Sequence, residues 1–202
     1  MSETIIGILA SGRGSNMQAI CNSIAEGRLR AKVGLVVSDK ANARVLELAA
    51  VKEIPAVCIE RKHFTSAEGF EEAIARQLAS HRVELVVLAG FMRILSRYFV
   101  NLFPGSIMNI HPSLLPAFPG LNAHEQVIAY GAKVSGCTIH FVDEGMDTGP
   151  IIMQQAVAVH HEDTVETLSE RILEVEHELY PQAIRLYCEQ RLRVEGRIVK
   201  II

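Results

Sequence analysis

The sequence predicts an α/β fold. It reads as an open, mostly parallel, Rossmann-like twisted sheet with helices on both faces, antiparallel strands added in the C-terminal half, and a long C-terminal helix. Three observations predict this. Short apolar runs alternate with stretches of helical period through the first hundred residues. One run, Glu84 to Ala89, is almost wholly apolar, as a strand covered by helices on both faces requires. After Asn109 the pattern changes to two neighbouring extended segments followed by one long amphipathic stretch.

The elements follow in order. Ile5 to Ala10 reads as a buried strand, and Asn16 to Glu26 as a helix with Met17, Ile20, Cys21 and Ile24 at helical spacing. Ala31 to Ser38 is a second strand and Ala43 to Val51 a second helix. A Pro-bounded strand spans Ile54 to Ile59, a helix Phe70 to Ser80, and strands Glu84 to Ala89 and Ser106 to Ile110. A helix from His124 to Tyr130 leads into extended segments Lys133 to Val142 and Ile151 to His160. The long helix runs from Thr164 to Glu189, with Val165, Leu168, Ile172, Val175 and Leu179 as its apolar stripe. Arg191 to Ile201 closes as a short hairpin through Glu195-Gly196. With no linker, repeat or low-complexity segment, 1–202 is expected to be a single domain.

Composition narrows the function classes. A chain of 202 residues can bury a substantial core. Its hydrophobic share of 49% is not gathered into any uninterrupted run of about 18 residues, which argues against a membrane span. The formal net charge of −3 argues against broad nucleic-acid binding, so anionic ligands must be met by local donors. Cys21, Cys58, Cys137 and Cys188 are dispersed, form no C-x-x-C, and read as reduced thiols of a cytosolic protein. The N-terminus, Met-Ser-Glu-Thr, is polar and predicts no signal peptide, so a cytoplasmic location is expected.

The most informative stretch is Ser106 to Pro119. Asn109 and His111 are two apart, so on an extended backbone both side chains point to one face. A carboxamide beside an imidazole suits acyl transfer, where one group holds a developing oxyanion and the other handles protons. Pro112, Pro116 and Pro119 restrict the loop that follows. The same residues also fit an ordinary strand end with a capping Asn and a partly buried His. Downstream, Val142 to Pro150 is a turn-rich acidic segment in which Asp147 lies between Gly145 and Gly149. Asp147 can approach His111, favour its charged form and order a water between them. Alternatively it only bonds the backbone of its own turn.

Ala10 to Asn16, Ala-Ser-Gly-Arg-Gly-Ser-Asn, joins the first strand to the first helix. Its glycines allow close backbone approach, and the amides at the helix start favour an anion such as a phosphate monoester. Position 17 is Met rather than the third glycine of a dinucleotide fingerprint, and the Walker lysine is missing. A tight turn capped by Ser15 or Asn16 remains the plainer alternative. His160-His161 point apart on a strand end with no third ligand at metal spacing, so no catalytic metal is expected. His63, His81 and His177 read as surface or helix-end residues, whereas His124 and His140 lie close to the motifs as candidate pocket lining.

The set Asn-x-His-Pro-Ser-Leu-Leu-Pro at 109–116 followed by Asp-Thr-Gly-Pro at 147–150 resembles the folate-dependent formyltransferase superfamily. Ordered motifs at Ala10 to Asn16, Leu88 to Leu95, Asn109 to Pro116, Gly136 to Pro150 and Glu176 to Pro181 extend the resemblance nearly end to end. They place the chain nearest the branch that formylates glycinamide ribonucleotide. The resemblance implies a single formyltransferase domain, with residues 1–105 as a phosphate-binding βαβ half and residues 106–202 as a catalytic and folate-binding half. It implies formyl transfer from the co-substrate 10-formyltetrahydrofolate to glycinamide ribonucleotide, with no metal, no nucleic-acid or membrane partner, and a monomer or homodimer.

The implied catalytic residues are Asn109, His111 and Asp147. The implied ribonucleotide contacts are Gly14, Ser15 and Asn16 at the phosphate and Glu176 at the sugar hydroxyls, although Glu176 also fits a solvated helix face. The implied folate contacts are Met92, Arg93, Ile94, Leu95, Asn109, Asp143 and Asp147. Several relatives carry an arginine for the folate tail where this chain has Ala67; Arg61 and Lys62 stand nearby as substitutes.

Three other readings compete. A formyltetrahydrofolate hydrolase shares the Asn-His-Asp set, but tends to place His where Pro112 stands and to carry an extra N-terminal domain. A formyltransferase acting on initiator tRNA shares Ser-Leu-Leu-Pro but needs a positively charged C-terminal domain. A nucleotide binder without catalysis would keep Gly12 to Asn16 and has no need of Asn109, His111 and Asp147 together.

Overall fold

The computed structural model describes residues 3–202. The signal-peptide reading draws partly on Met1 and Ser2, which lie outside them. The chain divides into two compact units between Met108 and Asn109.

In the first unit, strands β1 (Thr4–Leu9), β2 (Ala31–Ser38), β3 (Ala56–Cys58) and β4 (Leu85–Leu88) lie in the order β3-β2-β1-β4. The β1–β2, β1–β4 and β2–β3 pairs are all parallel. Parallel neighbours need crossovers, supplied by helices α1 (Ser15–Ala25), α2 (Arg44–Val51) and α3 (Ala67–Ser80). Ile6, Ile8 and Leu9 of β1 and all four residues of β4 are buried, which accounts for their unbroken apolar sequence. At the edge, β3 is shorter than the expected Ile54 to Ile59. Pro55 offers no amide to a ladder, although its carbonyl still accepts from the Val36 amide at 2.9 Å.

Local capping moved one boundary. Helix α3 starts at Ala67 rather than Phe70, because the Ser66 hydroxyl accepts the Gly69 amide at 3.0 Å. The sequence did not reveal helix α4 (Arg97–Leu102) or the 3₁₀ turn Arg61–His63. Helix α4 is six residues long, too short for a period to register. It is set instead by Ser96, whose hydroxyl caps Phe99 and whose amide donates to Glu71 Oε1 at 2.7 Å.

Strand β5 (Ile107–His111) crosses the boundary and carries Asn109 and His111 into the second unit. It runs one residue past the expected end at Ile110, so His111 is a strand residue. Helix α5 (Ala123–Tyr130) is followed by β6 (Val134–Phe141) and β7 (Ile151–Ala158), which pair antiparallel from Val134↔Ala158 to Ile139↔Met153. The register slips between Ile139 and His140. Helix α6 (Val165–Cys188) then leads to β8 (Leu192–Glu195) and β9 (Ile198–Ile201), with β9 parallel to β7 and antiparallel to β8. The hairpin turns through Gly196-Arg197, one residue later than expected, because Glu195 still pairs with Ile198.

Thr164 and Thr167 cap α6 reciprocally, each hydroxyl accepting the other's amide at 3.3 and 3.0 Å. Arg171 forks onto Asp163 at 2.7 and 2.8 Å beside that cap. Leu168, Ile172, Leu179, Ile184 and Leu186 are buried. At roughly 1.5–3 kcal/mol per buried aliphatic side chain, this stripe outweighs the cap's contribution of about 1 kcal/mol. The fold is therefore a mixed sheet, mostly parallel and antiparallel toward its C-terminal end, with six α-helices among the described residues. Among those residues, no helix is long and apolar enough to cross a membrane.

Candidate active site

Four polar side chains converge in the second unit, from positions separated along the chain. Strand β5 supplies Asn109 and His111, the end of β6 supplies His140, and the loop before β7 supplies Asp147. His111 and His140 are buried, and Asn109 is partly so.

Hydrogen bonding fixes the ring orientations. His111 Nε2 lies 2.8 Å from the Phe118 carbonyl. A carbonyl only accepts, so Nε2 carries a proton and Nδ1 faces Asp147 Oδ2 at 3.4 Å. This is direct approach; a bridging water would hold the two atoms about 5 Å or more apart. His140 Nδ1 lies 2.8 Å from the Phe141 carbonyl, so Nδ1 is the protonated nitrogen of its neutral ring. His140 Nε2 then accepts from Asn109 Nδ2 at 3.2 Å. That contact orients the Asn109 carboxamide and uses one of its two N–H groups, leaving the other for a ligand.

Asp147 is bonded beyond its own turn. Its Oδ2 accepts the Gly120 amide at 2.7 Å, and Oδ1 lies 3.7 Å from His140 Nε2. Burial pushes its carboxyl up. The His140 side chain, the Gly120 amide and the nearby His111 together outweigh that and hold it below the ordinary value of 3.8. Asp147 also has φ 53°, the left-handed region. A non-glycine residue held there costs on the order of 1–3 kcal/mol, a cost met where a side chain must be aimed. Asp143 has the local role considered for Asp147: it accepts from the Gly145 amide at 3.0 Å and the Thr148 hydroxyl at 2.6 Å. Gly149 lets this loop return to β7, since a Cβ there would stand 1.7 Å from the Phe141 carbonyl oxygen.

His140 is the residue that sequence reasoning left out of the cluster with Asn109, His111 and Asp147. Its proximity to the Gly136 to Pro150 motif marked it as pocket lining, but nothing in linear spacing ties residue 140 to residue 109. His124 Nε2 and His177 Nε2 are buried without hydrogen-bond partners among the described residues. Burial lowers the affinity of both rings for a proton, with a smaller contribution at His124 from His111. His177 is thus less exposed than the sequence suggested. Glu176 is buried rather than solvated. Burial first, and then the Glu176 carboxylate, push the Cys137 thiol up to about 12, so it is no nucleophile at neutral pH.

The remaining predicted residues lie in the first unit. Gly14, at φ 79°, is itself the N-cap of α1, and neither Ser15 nor Asn16 caps the helix. The first turn of α1 therefore presents its amides at a helix start with no capping side chain, as an anion site requires. The Gly12 carbonyl accepts the Val45 amide at 3.1 Å, which fixes the loop. In the 92–95 segment, Met92 and Ile94 are exposed and Leu95 is buried. The Met92 amide donates to Ser11 Oγ at 2.9 Å, and Arg93 pairs with buried Asp39 at 2.6 Å while lying over the Phe70 ring. Of the substitutes considered for Ala67, Arg61 donates to the Phe64 carbonyl at 2.7 Å and Lys62 pairs with Glu60 at 2.8 Å. Among the described residues, no group of three His, Cys, Asp or Glu side chains is placed to hold a metal ion.

This arrangement can do acyl-transfer chemistry: an amide donor, an imidazole and a carboxylate stand close together with few degrees of freedom. Comparison with known proteins agrees. A family profile described as formyl transferase matches residues 5–184. The chain is 47% identical over 178 residues to phosphoribosylglycinamide formyltransferase of Bacillus subtilis (strain 168), covering 88% of this chain and 91% of that one. It is also 47% identical over 189 residues to trifunctional purine biosynthetic protein adenosine-3 of Gallus gallus, covering 94% of this chain but 19% of that longer one. Glycinamide ribonucleotide transformylase 1 from Symbiobacterium toebii superposes with a TM-score of 0.97 at 48% identity, covering 99% of this chain and 94% of that one. The chain belongs to the formyl transferase family.

Proposed function

We propose that this protein is a phosphoribosylglycinamide formyltransferase. It transfers the formyl group of 10-formyltetrahydrofolate to the amine of glycinamide ribonucleotide in de novo purine biosynthesis, giving formylglycinamide ribonucleotide and tetrahydrofolate. One observation carries the reading: Asn109, His111 and Asp147 are brought together in one contact network, with His140 linking Asn109 to Asp147.

The neutral amine attacks the formyl carbon, and the carbonyl electrons move to oxygen. The unused Asn109 N–H donates to that oxyanion, a contribution on the order of 3 kcal/mol. His111 Nδ1–H, beside Asp147, adds a second donor, while Nε2–H stays on the Phe118 carbonyl. The bond from carbon to N10 then breaks as the proton lost by the amine reaches N10, with His111 and Asp147 assisting the transfer. No side-chain nucleophile is needed, since holding both substrates together supplies proximity.

For binding, this reading assigns the ribonucleotide phosphate to Gly14, Ser15 and Asn16, and the sugar hydroxyls to Glu176. It assigns the folate ring to Met92, Arg93, Ile94, Leu95 and Asp143, with Asn109 and Asp147 reaching its formyl end. The exposed side chains of Met92 and Ile94 support a role in covering a flat heterocycle.

The test is to mix pure protein with 10-formyltetrahydrofolate, with and without glycinamide ribonucleotide, and follow the folate spectrum. Consumption that requires the ribonucleotide is expected. Equal consumption without it would identify a hydrolase, and none in either mixture a binding protein.

A further inference from the structure

We infer that Thr138 and Ser113 are positioning residues that hold the His111 ring in its working orientation, an inference that deepens the proposed transfer reaction. The Phe118 carbonyl that takes the His111 Nε2 proton belongs to the loop from Pro112 to Pro119, which contains three prolines and so has few amides of its own to hold it. Phe118 is also in the left-handed region, at φ 53°. Two buried hydroxyls hold this loop instead.

Thr138, on β6, is fully buried, and all of its hydrogen-bonding capacity is used. Its hydroxyl donates to the Ser113 carbonyl at 2.7 Å and accepts from the Leu115 amide at 3.0 Å and from Gln154 Nε2 at 2.9 Å. Gln154 gives its other N–H to the Leu115 carbonyl at 2.9 Å. Ser113, equally buried, lies 2.6 Å from the Ala117 carbonyl and 3.2 Å from the Phe118 carbonyl. Its single proton serves the nearer oxygen, and that bond fixes the peptide that leads into Phe118.

The chain of contacts therefore runs from Thr138 to Ser113, to the 117–118 peptide, to His111 Nε2. While the Phe118 carbonyl stays in place, it holds the Nε2 proton and keeps Nδ1 aimed at Asp147. If the loop relaxes, Nε2 loses its acceptor and the ring is free to swing Nδ1 away from the carboxylate.

Thr138→Val keeps the shape and removes only the hydroxyl, whereas Thr138→Ser keeps the hydroxyl and removes only the methyl. Thr138→Val is expected to lower kcat about tenfold or more, with KM for both substrates within about twofold, because a misaimed group damages the transition state more than binding. Thr138→Ser is expected to stay within about twofold of the parent in kcat. An independent readout is the imidazole N–H proton spectrum, assigned with a His111→Asn control. The Nε2–H signal of His111 is expected in the parent and in Thr138→Val to broaden or vanish, and in Thr138→Ser to persist. This holds whether or not the protein transfers formyl groups, so failure of the functional reading is seen separately. Should Thr138→Val not fold, Ser113→Ala carries the same two readouts. An unchanged Nε2–H signal in the folded hydroxyl-deleted variant, or equal damage in Thr138→Val and Thr138→Ser, would overturn the inference.

Discussion

Asn109→Ala, His111→Ala and Asp147→Asn are each expected to cut turnover at least about a hundredfold while leaving the fold intact. The size follows from the geometry. Asn109 is held by His140 at 3.2 Å with one N–H left over, and losing such a donor at an oxyanion costs about 3 kcal/mol, which is more than a hundredfold in rate. His111→Ala removes the ring that Asp147 and Phe118 grip from opposite sides. Asp147→Asn is the most discriminating of the three. Its amide oxygen can still accept the Gly120 amide, so the loop keeps its anchor while the negative charge beside both imidazoles disappears. Steady-state kcat together with a thermal melt checks all three, and near-normal turnover in every variant would refute the assignment of roles.

The second large effect is expected at Gly149. An alanine Cβ would stand 1.7 Å from the Phe141 carbonyl oxygen and 2.8 Å from its carbon, and both atoms are backbone. No side-chain rotation relieves such a contact. Either the end of β6 or the loop carrying Asp147 must move. Gly149→Ala should therefore lose about 1–3 kcal/mol of stability and, because Asp147 sits two residues away, most of the turnover as well. Denaturant unfolding and an activity assay at a temperature where the variant is folded separate the two losses. A variant with parental stability would show that the loop is looser than this packing implies.

The same contacts explain what could be read in the sequence and what could not. Strand β2 was legible to the residue, from Ala31 to Ser38, because apolar composition and flanking turns both mark it. The i, i+2 spacing of Asn109 and His111 was legible because strand geometry alone places both on one face. Asp147 stood out through its glycines, yet its actual anchor, the Gly120 amide, lies 27 residues away and leaves no linear trace. The His140 contact to Asn109, the Arg93 pairing with Asp39 and the Thr138 clamp on the 113–115 backbone are likewise products of tertiary packing. At the start of α1, propensity favoured Ser15 or Asn16 as the cap, but the left-handed Gly14 takes that position. Helix α4 was missed because its cap at Ser96 depends on a tertiary bond to Glu71 rather than on a run of apolar residues.

The most direct test of the account is a crystal structure holding glycinamide ribonucleotide together with a folate analogue that carries a non-transferable formyl-like carbonyl. The account predicts the carbonyl oxygen within about 3.2 Å of Asn109 Nδ2, with the attacking amine on the carbon and the His111–Asp147 pair alongside. A carbonyl bound beyond hydrogen-bonding reach of Asn109 and His111, with both ligands otherwise well ordered, would contradict it.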